Sequence, residues 1–124
     1  MRVLLSRLTV SSKGAFHFSQ ATLPFLLRRA EAFPQHPHTL IFTGATAALK
    51  GSAGFSTFAS AKFAQRALAQ SLAREFAPRG VHVSHVVIDG IIHLPGSAEL
   101  LKDSGPNAKL DVDAVRRQKP AHSP

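Results

Sequence analysis

A chain of 124 residues has room for one modest domain, because a protein of this size buries roughly two-thirds of the surface that its unfolded form exposes. Its 44% apolar content is too high for a chain that is disordered throughout, and the lack of cysteine excludes disulfides and thiolate metal sites. The formal net charge of +8 comes from basic residues that stand singly or in pairs, which favours a solvated basic surface over nucleic-acid binding.

The N-terminal segment, residues 1–13, has little periodicity, and we expect it to be irregular or disordered. The first 30 residues contain Arg, Lys, Ser and Thr but no acid, which is the composition of a mitochondrial transit peptide and keeps mitochondria as an alternative location. No segment approaches the roughly 18 consecutive apolar residues of a membrane-spanning helix. We therefore expect a soluble, cytoplasmic protein without a membrane segment.

The first predicted element is a helix over residues 15–29. Phe18, Ala21 and Phe25 recur at three- and four-residue steps, as on one helix face. Further apolar side chains widen this stripe, so we expect the helix to be largely buried: Phe16, Leu23, Leu26 and Leu27. Pro24 opposes the prediction, since a proline in mid-helix costs about 3 kcal/mol unless the helix kinks or its neighbours compensate.

A strand and a second helix follow the proline-bearing loop of residues 31–38. Residues 39–43 (TLIFT) form a short apolar run before a glycine, which is typical of a buried parallel strand. From residue 56 to 77, apolar side chains recur at helical steps, and Pro78 and Gly80 mark the end of the helix. The apolar face of this helix carries Phe58, Ala61, Ala64, Leu68, Leu72 and Phe76.

The last predicted element is a strand over residues 81–88 (VHVSHVVI), which is rich in β-branched side chains. The order helix, strand, helix, strand predicts an α/β fold with a parallel sheet covered by helices. Beyond residue 96 the sequence turns polar, and we expect a polar C-terminal tail over residues 97–124.

Three segments between residues 39 and 94 stand in a characteristic order: TLIFTGATAALKG, FASAK and SLAREFAPRGVHVSHVVIDG. Together they resemble the catalytic half of the short-chain dehydrogenase/reductase family, with its serine-bearing strand, Tyr-x-x-x-Lys helix and following strand and turn. SSKGAFHFSQATLPFLL, further upstream, resembles the preceding long helix of the family. The resemblance implies a partial Rossmann-like parallel sheet flanked by helices, with residues 14–96 as the C-terminal half of such a domain.

The resemblance also identifies four catalytic positions: Lys62 at the lysine, Phe58 at the tyrosine, Ala45 at the serine and Ser11 at the asparagine. In the family, the tyrosine hydroxyl is the general acid/base and the lysine cation lowers its pKa. A phenylalanine ring has no proton to give. Ser60 is an alternative proton donor, but two residues from Lys62 on a helix it points in a different direction.

The family implies NAD or NADP as cofactor, with Lys62, Gly90 and Ile92 as its contacts in this chain. No glycine-rich turn for the cofactor pyrophosphate precedes Gly14. We therefore expect a truncated or divergent relative with little or no oxidoreductase activity alone. The alternatives are an active NAD(P)-dependent enzyme of small carbonyls or alcohols with an atypical site, and a small basic interaction protein.

Two further expectations concern metal ions and partners. His82 and His85 are three residues apart on a predicted strand, so their side chains point to opposite faces and no metal site is expected. In the family, the two long helices commonly form a four-helix contact between subunits. The resemblance therefore implies a homo-oligomer through these helices.

Overall fold

A computed structural model describes residue 6 and residues 8–92, 109–110 and 113. The chain divides into two units, Met1–Ile88 and Asp89–Pro124. Most of the tail predicted over residues 97–124 lies outside the described residues. Within the described part, no helix has the length and apolar character needed to cross a membrane.

The first unit is an α/β structure in the predicted order. A π-helical turn, Thr9–Lys13, leads into helix α1, Gly14–Ala32. The remaining elements are strand β1 (His38–Ala45), a 3₁₀ turn (Thr46–Ala48), helix α2 (Ser56–Phe76), a second 3₁₀ turn (Ala77–Arg79) and strand β2 (Val81–Ile88). Helix α1 and strand β1 are therefore longer at both ends than the sequence pattern predicts.

The two strands of the first unit form a parallel pair, with His38 opposite Val81 and Ala45 opposite Ile88. Helix α2 is the connection between them, as parallel strands require. Alternate residues of each strand face the helices and are buried with them in one core: Leu23, Ala30, Leu40, Phe42, Ala69, Val81 and Val83. The other face of the strands is exposed, with Ile41 at 60%.

Helix α1 continues through Pro24, although proline lacks the N–H that an interior helical position donates. Leu23, the preceding residue, is 6% exposed and belongs to the core cluster. Tertiary packing of the helix therefore offsets the cost of the proline, as it supplies most helical stability in proteins.

The expectation that helix α1 is largely buried is wrong. Phe18 and Phe25 of the predicted stripe are 58% and 56% exposed. The buried residues of the helix are Ser19, Leu23 and Ala30. The Ser19 hydroxyl donates to the Ala15 carbonyl at 2.8 Å, which satisfies a polar group in a buried position. The buried face is therefore displaced from the face on which the phenylalanines recur.

Gly80 ends the segment that follows helix α2, as the sequence predicts. Its φ of 80° lies in the left-handed region, and its N–H donates to the Ala77 carbonyl at 3.0 Å. A Cβ at Gly80 would lie 3.3 Å from the Cβ of Ala30. Glycine therefore fits this turn for both its backbone conformation and its close approach to helix α1.

The second unit contains two short strands among its described residues. Strand β3 (Ile91–Ile92) pairs in parallel with strand β4 (Lys109–Leu110). Gly90, which precedes β3, has a φ of 153°, a value that residues with side chains rarely adopt.

Candidate active site

Lys62 extends from helix α2 to the end of strand β1. Its Nζ donates to the Thr43 carbonyl at 2.9 Å and to Gln65 Oε1 at 3.2 Å. Half-burial of the side chain lowers the pKa of Lys62 below its ordinary value. An ammonium has three N–H donors, and two of them are used in these bonds to described residues.

Phe58 lies one helical turn before Lys62, as the four-residue spacing predicts. The Lys62 Nζ is 5.9 Å from the centroid of the Phe58 ring, within the range of a cation–π interaction. Phe55 packs edge-to-face on the same ring, with 6.4 Å between centroids. The ring is thus fixed beside the cation, but it offers carbon atoms where a tyrosine would offer a hydroxyl.

Ser11 and Lys62 line the same groove, an open cavity of about 410 Å³ beside strand β1. Ser11 belongs to the π-helical turn and is half-buried. The neighbouring Ser12 hydroxyl donates to the Ala61 carbonyl at 3.1 Å, which fastens the turn to helix α2 directly before Lys62. With Phe58, the structure therefore brings together three of the four positions that the family resemblance identified, although Ser11 lies far from the other two in sequence.

Ala45 and Ser60, the other site candidates of the first unit, make no hydrogen bond to Lys62 among the described residues. Ala45 is the last residue of strand β1, is half-buried and has only a methyl group. Gly90 and Ile92 belong to the second unit, and their role at a cofactor site stays a prediction. The Ser60 hydroxyl donates to the Ser56 carbonyl at 2.6 Å, so it is engaged with its own helix backbone instead of facing Lys62.

His85, which the sequence pattern raised only as a metal-ligand candidate, lies on the strand next to the one that Lys62 contacts. It lies opposite Phe42 on the face of strand β2 that is turned toward the helices. Its Nε2 is buried and has no hydrogen-bond partner among the described residues. Burial, followed by the positive charges of Arg66 and Lys62, lowers the pKa of His85, which favours a neutral imidazole. The sequence does carry a signal for the burial of His85, because the residue follows the buried Val81 and Val83 at steps of two and so lies on the same face of the strand.

The described histidines and acids form no cluster of three or more metal-ligating side chains. His82 is exposed, whereas His85 is half-buried. The two side chains lie on opposite faces of strand β2, as their spacing predicts.

The chain is similar to known short-chain dehydrogenases. A family model described as short chain dehydrogenase matches residues 5–102. Among solved structures, a short-chain dehydrogenase from Rhodopseudomonas palustris is 32% identical, with a TM-score of 0.63, and the match covers 88% of this chain and 50% of that one. The chain thus spans about half the length of that dehydrogenase. No curated protein matches the sequence.

Proposed function

The chain belongs to the short-chain dehydrogenase family, and we propose that it keeps the lysine of the family's nicotinamide site without the proton donor, so that it has little or no oxidoreductase activity alone. The observation that carries this proposal is the pairing of the Lys62 ammonium with a phenylalanine ring, 5.9 Å from Nζ to centroid. Reduction of a carbonyl requires a proton as well as a hydride, and a positioned side chain normally delivers that proton.

The residues near Lys62 support the proposal because none of them replaces the missing hydroxyl directly. Ala45 carries a methyl group at the serine position, and Ser60 is bonded to the backbone of its own helix. Ser11 and Thr43 are the hydroxyl-bearing residues that line the groove with Lys62, and Thr43 bonds to the Lys62 ammonium through its backbone carbonyl. A neutral serine is a poor acid without a base or cation in hydrogen-bond contact, and no such contact of Ser11 is described.

The described residues offer a contact for a ribose hydroxyl of NAD or NADP, but helix α1 offers none for the pyrophosphate. The Lys62 ammonium is held by Thr43 and Gln65, and its third N–H would hold a ribose hydroxyl. When bound, the cofactor would supply the hydride. The amino end of helix α1 does not offer a pyrophosphate cradle, because the Gly14 N–H already donates to the Thr9 carbonyl of the π-helical turn.

We expect NADH and NADPH, titrated into the purified chain, to give no saturable change in nicotinamide fluorescence up to millimolar concentration. The physical reason is that a single hydrogen bond from an ammonium contributes too little binding free energy to hold a dinucleotide, whose charge lies mostly on its phosphates. Lys62→Met and the control Lys50→Met, which removes an exposed lysine outside the groove, should behave like the unchanged chain. Saturable binding that only Lys62→Met abolishes would favour an active enzyme with an atypical site.

We also propose that two copies of the chain associate through helices α1 and α2. A groove of about 390 Å³ lies between these helices and is mostly apolar. Phe16 at its margin is 46% exposed, and Phe63 on helix α2 is 42% exposed. Apolar surface of this kind on a helix pair is typical of an interaction site.

Phe16→Glu should weaken self-association at least tenfold, because a charge in an apolar contact loses the burial of the ring and adds a desolvation cost. Sedimentation equilibrium measures the dissociation constant. Leu49→Glu is the matched control, since Leu49 is 47% exposed but does not line the groove. A monomeric chain, or equal weakening by both variants, would contradict association through these helices.

A further inference from the structure

The packing of His85 on strand β1 leaves no room for a side chain at Gly44. Gly44 is the next inward-facing residue after Phe42, and it is buried. A Cβ at Gly44 would overlap the Cε1 and Nε2 atoms of His85 and lie 2.9 Å from the Val86 carbonyl oxygen. The imidazole therefore occupies the space that a side chain at residue 44 would fill.

Packing alone does not explain a histidine at this position. The buried Nε2 of His85 lacks a hydrogen-bond partner among the described residues, and a buried polar atom without a partner costs free energy. A leucine would fill a similar volume without that cost. The positive charges of Lys62 and Arg66 also act on the ring, so the imidazole lies within electrostatic reach of the groups on helix α2.

The backbone connects His85 to the candidate site in two steps. The imidazole lies on Gly44, and Gly44 directly follows Thr43. The Thr43 carbonyl accepts the hydrogen bond from Lys62 Nζ at 2.9 Å. A displacement of the peptide between residues 43 and 44 would turn this carbonyl away from the ammonium.

We propose that His85 is a positioning residue that, through Gly44, holds the Thr43 carbonyl in the orientation that binds the Lys62 ammonium. The proposal rests on Lys62 as the cation of the proposed nicotinamide site. The Nε2 of the imidazole is buried against Gly44. Its effect passes through the backbone of strand β1.

The test uses the titration of Lys62, followed by the ¹³Cε chemical shift in the chain labelled at lysine and assigned with Lys62→Arg. His85→Leu should move the Lys62 midpoint upward, because an ammonium released from Thr43 turns toward water and is less desolvated. His82→Leu, on the exposed face of the same strand, should leave it unchanged. At the high pH of this titration His85 is neutral, so a change of charge at residue 85 does not explain the shift.

A second pair of variants separates positioning from general loss of structure. Gly44→Ala should shift the Lys62 midpoint in the same direction and lower the melting temperature, since its Cβ overlaps the imidazole. Gly44→Ala combined with His85→Ala removes the overlap with the imidazole but keeps the close approach to the Val86 carbonyl oxygen, so it should regain only part of the melting temperature that Gly44→Ala loses. An unchanged Lys62 midpoint in a folded His85→Leu variant would overturn the positioning role. Cofactor binding by the unchanged chain would overturn the proposed function but not this result.

Discussion

Replacing Phe42 with alanine is expected to lower the free energy of unfolding by about 3–5 kcal/mol, the usual cost of removing a buried phenylalanine ring. Phe42 is 4% exposed and belongs to the core cluster formed by strands β1 and β2 and both helices. Domains are commonly stable by only about 5–15 kcal/mol in total. The Phe42→Ala variant should therefore be largely unfolded, or close to it, under conditions where the unchanged chain is folded.

Urea unfolding followed by circular dichroism measures this loss. Ile41→Ala is the matched control, because Ile41 is the preceding residue of the same strand and is 60% exposed on the opposite face. Such an exposed substitution usually changes stability by about 0.5 kcal/mol or less. Equal losses for the two variants would contradict the assignment of the helix-facing side of strand β1.

Phe58→Tyr is expected to place a phenol beside Lys62 whose pKa lies below the ordinary value near 10. The cause is the Lys62 ammonium, whose Nζ is 5.9 Å from the centroid of the ring at residue 58. A nearby cation stabilises the phenolate more than the phenol, so the midpoint falls while the ammonium keeps its proton. The variant thereby restores the hydroxyl that the family's tyrosine carries at this position and that Phe58 lacks.

The absorbance of tyrosinate against pH measures this midpoint without interference, because the chain contains no tyrosine and no tryptophan. Phe58→Tyr combined with Lys62→Met should return the midpoint upward. Phe63→Tyr, at a 42% exposed position on the same helix, should titrate near the ordinary value. If Lys62→Met leaves the midpoint unaltered, the lysine does not act electrostatically on residue 58.

Most of the fold was predictable from local sequence patterns, and the main error concerns the buried face of helix α1. Strand β2 has the predicted limits, Val81–Ile88, because β-branched residues follow directly on the Gly80 turn. The buried face of helix α1 was misplaced because Phe18 and Phe25 dominate its periodicity, whereas Ser19 is buried. A serine on a buried face is satisfied by the backbone of its own helix, and hydropathy does not register that bond.

The candidate site was predictable where sequence spacing alone sets the distance. The four-residue step from Phe58 to Lys62 predicts their proximity on helix α2. The bond from Lys62 to Thr43 and the contact of His85 with Gly44 depend on how α2 packs on the sheet and on the register of β1 with β2. These tertiary relations have no local signature in the sequence.

The absence of a proton donor at residue 58 is tested most directly by the rate at which the purified chain oxidises NADH or NADPH in the presence of small aldehydes and ketones. We predict that this rate does not exceed the rate of the Lys62→Met variant. Sustained turnover by the unchanged chain, abolished by Lys62→Met but not by Lys50→Met, would contradict the proposal that the chain has little or no oxidoreductase activity alone.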